Sequence, residues 1–201
     1  MRICFLFVTA IVFSINTLEA NSEVEVRDDE GTLITLKAPA QRIVSLAPSL
    51  TELIYAAGAF EKLVGVAEYS DFPPAAKELP IVGRFDILDI ERIVQLNPDL
   101  VVAWQSGNPR TSVNRLRKLG LPVYIAEPKS LASIPFHIER LALLAGTQLR
   151  AEETINGFRQ KLKALRNQFS QQSPVTTFYQ VWDVPLITAG GNELIDDIIR
   201  L

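Results

Sequence analysis

The chain has 201 residues, 48% of them hydrophobic and 21% charged, with a formal net charge of −3. It can bury one good core and part of another, and its weak acidity without any Lys/Arg cluster excludes nucleic-acid binding through phosphates. With one Cys, one Met and one His, the first two at positions 4 and 1, it cannot assemble a transition-metal site from several imidazole or thiolate ligands, nor, once residues 1–20 are removed, haem held by Met or Cys.

Residues 1–20 read as an export signal. Arg2 gives a short positive start and Ile3 to Phe13 an apolar stretch too short to span a bilayer. Leu18-Glu19-Ala20 is a passable cleavage site before polar Asn21-Ser22-Glu23. Cleavage there removes Cys4 and Met1, and Cys4 lies at the head of the apolar run rather than behind it, which is not where a lipid-modified Cys lies. Residues 21–39 then read as a hairpin, VEVRD and TLITL alternating around the turn signal Asp29-Glu30-Gly31.

Residues 40–126 read as an α/β lobe. Arg42 to Leu46 is a buried strand, Ser49-Leu-Thr-Glu52 a capping box for a helix ending at Gly58, and Leu63 to Val66 the next strand, spaced as in a parallel crossover unit. Asp89 is a plausible N-cap for a helix with Ile90, Ile93, Val94 and Leu96 on its apolar face, which leaves Glu91 and Arg92 pointing elsewhere. The strand Leu100 to Ala103, a helix from Val113 to Leu119 stopped by Gly120, and the strand Val123 to Ile125 complete a doubly wound unit. It carries no G-x-G-x-x-G, no phosphate loop and no G-x-S-x-G.

Residues 127–172 hold two consecutive helices. The first contains His137, read as a surface or half-buried histidine. The second, about 150–171, places Ile155, Phe158, Leu162, Leu165 and Phe169 at three- and four-residue steps. It is long enough for a rigid strut between lobes, or for packing on the first sheet. Residues 173–201 look like the start of a second lobe: a strand-like VTTFYQVW, the turn Gly190-Gly191 and a capped helix from Asn192 to Leu201.

Two aromatics stand where buried strands end. Tyr69 follows the run Leu63 to Ala67, and Trp104 closes the run Leu100 to Ala103, which puts both at the carboxyl edge of a parallel sheet, where ligands bind. The same residues could equally cap the core. Trp182 ends its own strand-like run in the same way, and Glu91 taken alone is a solvated helix charge.

QRIVSLAPSLTELIYAAGAFEKLVGV (41–66), EYSDFPP (68–74), DIERIVQLNPDLVVAW (89–104), LRKLGLPVY (116–124) and TAGGNELIDDIIRL (188–201) resemble the periplasmic substrate-binding proteins of the vitamin B12 and iron-siderophore ABC importers. The cobalamin-binding branch matches best in detail, through Tyr-Ser-Asp-Phe-Pro-Pro and through Ala-Trp followed by Gly-Asn. The resemblance implies an α/β fold of two doubly wound lobes joined by one long rigid helix, the class III periplasmic-binding-protein arrangement, with the second lobe incomplete in these 201 residues. It implies no catalysis, no cofactor and a periplasmic location. The full-length protein would be a monomer that carries a corrinoid to an ABC importer permease in the inner membrane. Residue by residue, Tyr69 would lie against the corrin ring, Trp104 would belong to the same wall, and Phe85 would stand where an indole fits the cobalamin pattern. Trp182 joins these as a candidate from the second lobe, and Glu91 matches the carboxylate that pairs with permease arginines. Two other readings remain: a ferric-siderophore or haem carrier of the same fold, and, last, an exported α/β enzyme using carboxylates such as Asp86 and Asp89.

Overall fold

A computed structural model describes residues 23–191 and 193–201; the expected export signal at 1–20 lies outside the described residues. The chain opens with the antiparallel hairpin β1 (Val24–Arg27) and β2 (Leu33–Leu36). Strict alternation buries Val24, Val26, Ile34 and Leu36 and exposes the residues between, which is how two-residue periodicity makes a one-sided ribbon. Those four side chains belong to the same core as the main sheet, so the hairpin helps to close that core.

The main sheet is parallel and four-stranded. In chain order its strands are β3 (Ile43–Ser45), β4 (Leu63–Val66), β7 (Leu100–Trp104) and β8 (Val123–Ala126); in space they run β4-β3-β7-β8. Between β4 and β7 a small hairpin of β5 (Gly83–Arg84) and β6 (Ile87–Leu88) intervenes, which the apolar periodicity of residues 68–108 does not announce. Strands buried on both faces read as near-continuous apolar runs, and β8 with all but the last residue of β7 is buried throughout.

The two faces are covered by different helices. On one, Ile43, Leu100, Val102 and Tyr124 meet Leu50 and Ile54 of α1 (Pro48–Ala56) and Ile138, Leu141 and Leu144 of α4 (Ser133–Ala145). On the other, Val44, Val101, Ala103 and Ile125 meet Ile90 and Ile93 of α2 (Ile90–Gln95) and Val113 and Leu116 of α3 (Arg110–Lys118). This is the doubly wound arrangement. Strand order reverses beside β3, so the crevice between the carboxyl ends of β3 and β7 is the topological switch point.

Several local expectations are corrected. The helix expected behind a Ser49 capping box begins two residues earlier, because Pro48 occupies its first turn; Ala47 is the N-cap and supplies no side-chain bond. Asp89 does cap α2, accepting from the backbone N–H of Arg92 at 2.9 Å. Val94, expected on the buried face of α2, is exposed. α5 (Gln148–Phe169) buries Ala151 and Ile155 against α4, but Leu165 and Phe169 are exposed, so its apolar stripe is covered only near its start. VTTFYQVW forms no strand: residues 173–180 carry no ladder, and only the isolated bridge between Trp182 and Ile187 follows. The last element, α6 (Leu194–Ile199), has Glu193 as an N-cap without a side-chain bond.

His137 is a larger departure. It is buried at 2% exposure, with Nε2 3.5 Å from Asp29 Oδ2 and no hydrogen-bond partner for Nδ1. Burial holds the imidazole below its ordinary 6.5, Asp29 pulling it back up and Arg140 pushing it down. A base depressed in the folded state binds its proton later than in the unfolded chain. Its stabilising contribution is complete above about 6.5 and is lost as pH falls from there through the folded value. Urea melts of wild type and His137→Gln should therefore converge as pH drops from 7 to 5, on the order of 1 kcal/mol per unit of depression. Parallel profiles would mean that His137 does not titrate differently on folding.

Backbone protection should divide the chain as its burial does. Amides of Leu100 to Val102 lie in the central ladder, whereas Val175 to Leu186 are exposed throughout. Hydrogen exchange should be slower in the first group by at least about a thousandfold, the gap between near-global and local opening.

Candidate functional site

The carboxyl edge of the sheet carries the candidate site, and a buried amide organises it. Asn108, 5% exposed, follows β7 in a tight turn where its backbone N–H donates to Trp104 O at 3.0 Å and its Oδ1 accepts from Trp104 N at 2.6 Å. Its Nδ2 donates to Leu46 O just beyond β3 at 3.0 Å and to Phe85 O at 2.7 Å. One side chain thus ties the end of β3, the end of β7 and the tip of the β5–β6 hairpin together across the switch point. Nothing in apolar periodicity points to it; its only sequence sign is a Gly-Asn step just after a strand.

Phe85 sits at that hairpin tip, and its ring meets the Trp104 indole at a centroid separation of 5.9 Å, tilted by 55°. Gly83 makes the turn possible, with φ of +109° and Ile87 O only 2.4 Å from where a Cβ would be. The Trp104 indole also needs Gly107: a Cβ there would lie 1.8 Å from the ring. Arg84 and Asp86 pair across the tip at the surface, and Arg84 holds the Asp86 carboxyl below its ordinary range. Asp86 is engaged in that pair and Asp89 in capping α2.

Tyr69 stands on the same edge beyond β4. Its φ is +64°, a left-handed conformation that costs a non-glycine residue about 1–2 kcal/mol, and its side chain is 75% exposed. The next residue explains what imposes this. Ser70 is buried, and its Oγ lies 3.1 Å from Thr51 Oγ1 of α1, itself 2.9 Å from Ser45 Oγ of β3. That buried hydroxyl chain pins the loop, and Tyr69 is turned outward. The positive φ is invisible to residue-type patterning, which locates the ring but not its aim.

Beside Trp104 lies Glu127, at the end of β8. Its carboxylate accepts from Ser106 N at 2.8 Å, from Ser106 Oγ at 3.0 Å and, more distantly, from the Trp104 indole N–H at 3.4 Å. Phe85 and Trp104 are therefore in contact, and Tyr69 shares their edge. Trp182 stands apart: its indole N–H donates to Val184 O at 3.1 Å, and among the described residues no ring contact joins it to the other three. Glu91 is exposed in the first turn of α2 and borders a shallow recess with Pro80, Asp89, Arg92 and Gln95.

A doubly wound parallel sheet with aromatics gathered at its switch point is what the family comparison bears on. A family model described as periplasmic binding protein matches residues 43–201. The chain belongs to that family. It is 42% identical over 170 residues to a vitamin B12-binding protein of Vibrio cholerae, which covers 85% of this chain and 62% of that protein. A vitamin B12-binding protein of Yersinia pestis is 38% identical over 171 residues, covering 85% and 61%. The crystal structure of the periplasmic vitamin B12 binding protein BtuF of Vibrio cholerae superposes with a TM-score of 0.75 at 41% identity, over 80% of this chain and 63% of that one. A periplasmic heme-binding protein from Pseudomonas aeruginosa matches with a TM-score of 0.61 at 31% identity, over 67% and 50%. The chain thus spans about three fifths of the length of the vitamin B12-binding relatives. Those relatives are named as binding proteins.

Replacing Asn108 tests the frame directly. Asn108→Ala leaves two carbonyls and one N–H without their partner, and urea denaturation should show a loss of about 1–3 kcal/mol. A loss below about 0.5 kcal/mol, the range of ordinary surface changes, would mean the amide is not the tie described.

Proposed function

We propose that the chain binds cobalamin or a related corrinoid at the carboxyl edge of its sheet, as the ligand-receiving part of a periplasmic carrier that delivers to an ABC importer permease. The observation carrying this reading is the Phe85–Trp104 pair, 5.9 Å apart at the switch point, with the outward-turned Tyr69 on the same edge. A broad, flat, largely apolar macrocycle needs an aromatic wall of this kind, and offset or tilted rings give about 0.5–1.5 kcal/mol each beyond area burial. The 38–42% identity to proteins named for vitamin B12 supports corrinoid over other flat ligands.

Glu91 is the proposed docking residue. An exposed carboxylate in the first turn of α2 is available for pairing with cationic side chains on a permease, and such rim charges act mainly on association rate. Trp182 remains a proposed contact from residues 173–201. A periplasmic address, reached through the segment 1–20, completes the reading. The second reading is haem, favoured by the heme-binding structures at 30–31% identity.

Calorimetric titration of the full-length protein with cyanocobalamin and with haemin separates the two. Saturable binding of cyanocobalamin is expected, weakened about fivefold or more in both Tyr69→Ala and Trp104→Ala, the equivalent of roughly 1 kcal/mol. Unchanged affinity in both variants removes these residues from the site; binding of haemin alone makes the carrier a haem protein.

A further inference from the structure

The candidate wall accounts for Phe85 and Trp104 but leaves a chain of polar groups behind them unused. It starts in the N-terminal hairpin. Asp29, in the turn after β1, donates its backbone N–H to Ile125 O of β8 at 3.1 Å. Its Oδ2 accepts from Glu127 N at 2.6 Å, and its Oδ1 from Arg140 Nη1 of α4 at 3.0 Å. The Glu127 carboxylate then takes both Ser106 donors and faces the Trp104 indole N–H at 3.4 Å. A turn outside the parallel sheet is thereby joined, through two carboxylates, to the aromatic ring at the switch point.

The geometry of this chain is directional. The tilted ring contact between Trp104 and Phe85 tolerates a change in the indole's orientation, because such contacts have broad geometric preferences. An acceptor in line with the indole N–H is not tolerant of it. The indole is seated against Gly107, in the space a Cβ there would fill. Glu127 is half-buried and spends its other acceptor sites on Ser106, so its carboxylate has little freedom to leave. Its backbone is fixed in turn by Asp29, which the Arg140 guanidinium anchors to α4.

We propose that Glu127 is a positioning residue for Trp104, holding the indole in its ligand-ready orientation, and that Asp29 acts through Glu127 by fixing the end of β8. This rests on the reading of Trp104 as part of the corrinoid wall. It assigns the N-terminal hairpin a share in ligand recognition although none of its residues belongs to that wall.

The test uses these 201 residues in a Trp182→Phe background, which leaves Trp104 as their single indole, and every affinity is compared with that background because Trp182 is itself a proposed contact. Near-ultraviolet circular dichroism of that indole reports its order without any ligand, and cyanocobalamin titration reports the wall. Glu127→Gln should lose about half or more of the indole band and weaken cyanocobalamin about fivefold, the net size of one ordinary hydrogen bond, with far-ultraviolet dichroism unchanged. Asp29→Asn should move both readouts in the same direction. The double variant Asp29→Asn/Glu127→Gln should match Glu127→Gln alone, the non-additivity expected of two groups acting in series. An indole band unchanged in Glu127→Gln overturns the proposal, as does a double variant whose losses simply add. Should Asp29→Asn shift only the melting temperature, its role is structural and that half of the proposal fails. If the parent protein takes no cyanocobalamin, the corrinoid reading fails, while the ligand-free indole band still decides whether Glu127 positions Trp104.

Discussion

The Phe85–Trp104 wall depends on one buried side-chain amide. Asn108 donates to Leu46 O and Phe85 O and accepts from Trp104 N, so three chain segments far apart in sequence are held at fixed spacing where the sheet reverses direction. Buried amides with all their partners are worth keeping because the alternative is several unsatisfied backbone groups at once. The tie also explains how a two-strand hairpin as small as β5–β6, which could not hold itself in water, presents Phe85 steadily. Without it the switch point would be an open crevice with mobile aromatics.

Around that tie, two polar chains aim the aromatics from opposite sides. The Ser45–Thr51–Ser70 hydroxyls fix the loop that turns Tyr69 outward. Asp29 and Glu127 approach Trp104 from the hairpin side. Both run through the protein from elements that touch no ligand in the proposed arrangement. The apolar core sets where the edge lies; these polar groups set where the rings on it point. The distinction matters because area burial is nearly indifferent to ring orientation, whereas hydrogen bonds are not.

Much of this was legible in residue order. Runs such as Leu100–Ala103 and Val123–Ile125 are apolar throughout because helices cover both faces, and that marks parallel strands in the sequence itself. Strand ends then locate Tyr69 and Trp104. What residue order could not supply is long-range pairing. Asn108 is 62 residues from Leu46 and Glu127 is 98 from Asp29, and no periodicity encodes such bonds. His137 departs from its residue pattern for a related reason: the apolar stripe of α4 is clear in the sequence, but its partner, the N-terminal hairpin, brings Asp29 over that stripe and buries the imidazole. VTTFYQVW shows the opposite failure. Its β-branched and aromatic residues suit a strand, yet a strand exists only with a neighbour to pair, and residues 173–180 have none among those described.

The central claim is that ligand meets this chain at the switch-point edge. Backbone amide chemical shifts recorded with and without cyanocobalamin test it most directly. The account predicts that the largest changes fall at 46–47, 68–71, 84–87, 104–108 and 127, with α4 and the start of α5 quiet. Changes concentrated instead in the groove between α4 and α5, around Leu143, Leu149 and Arg159, with the switch-point residues unmoved, would contradict it.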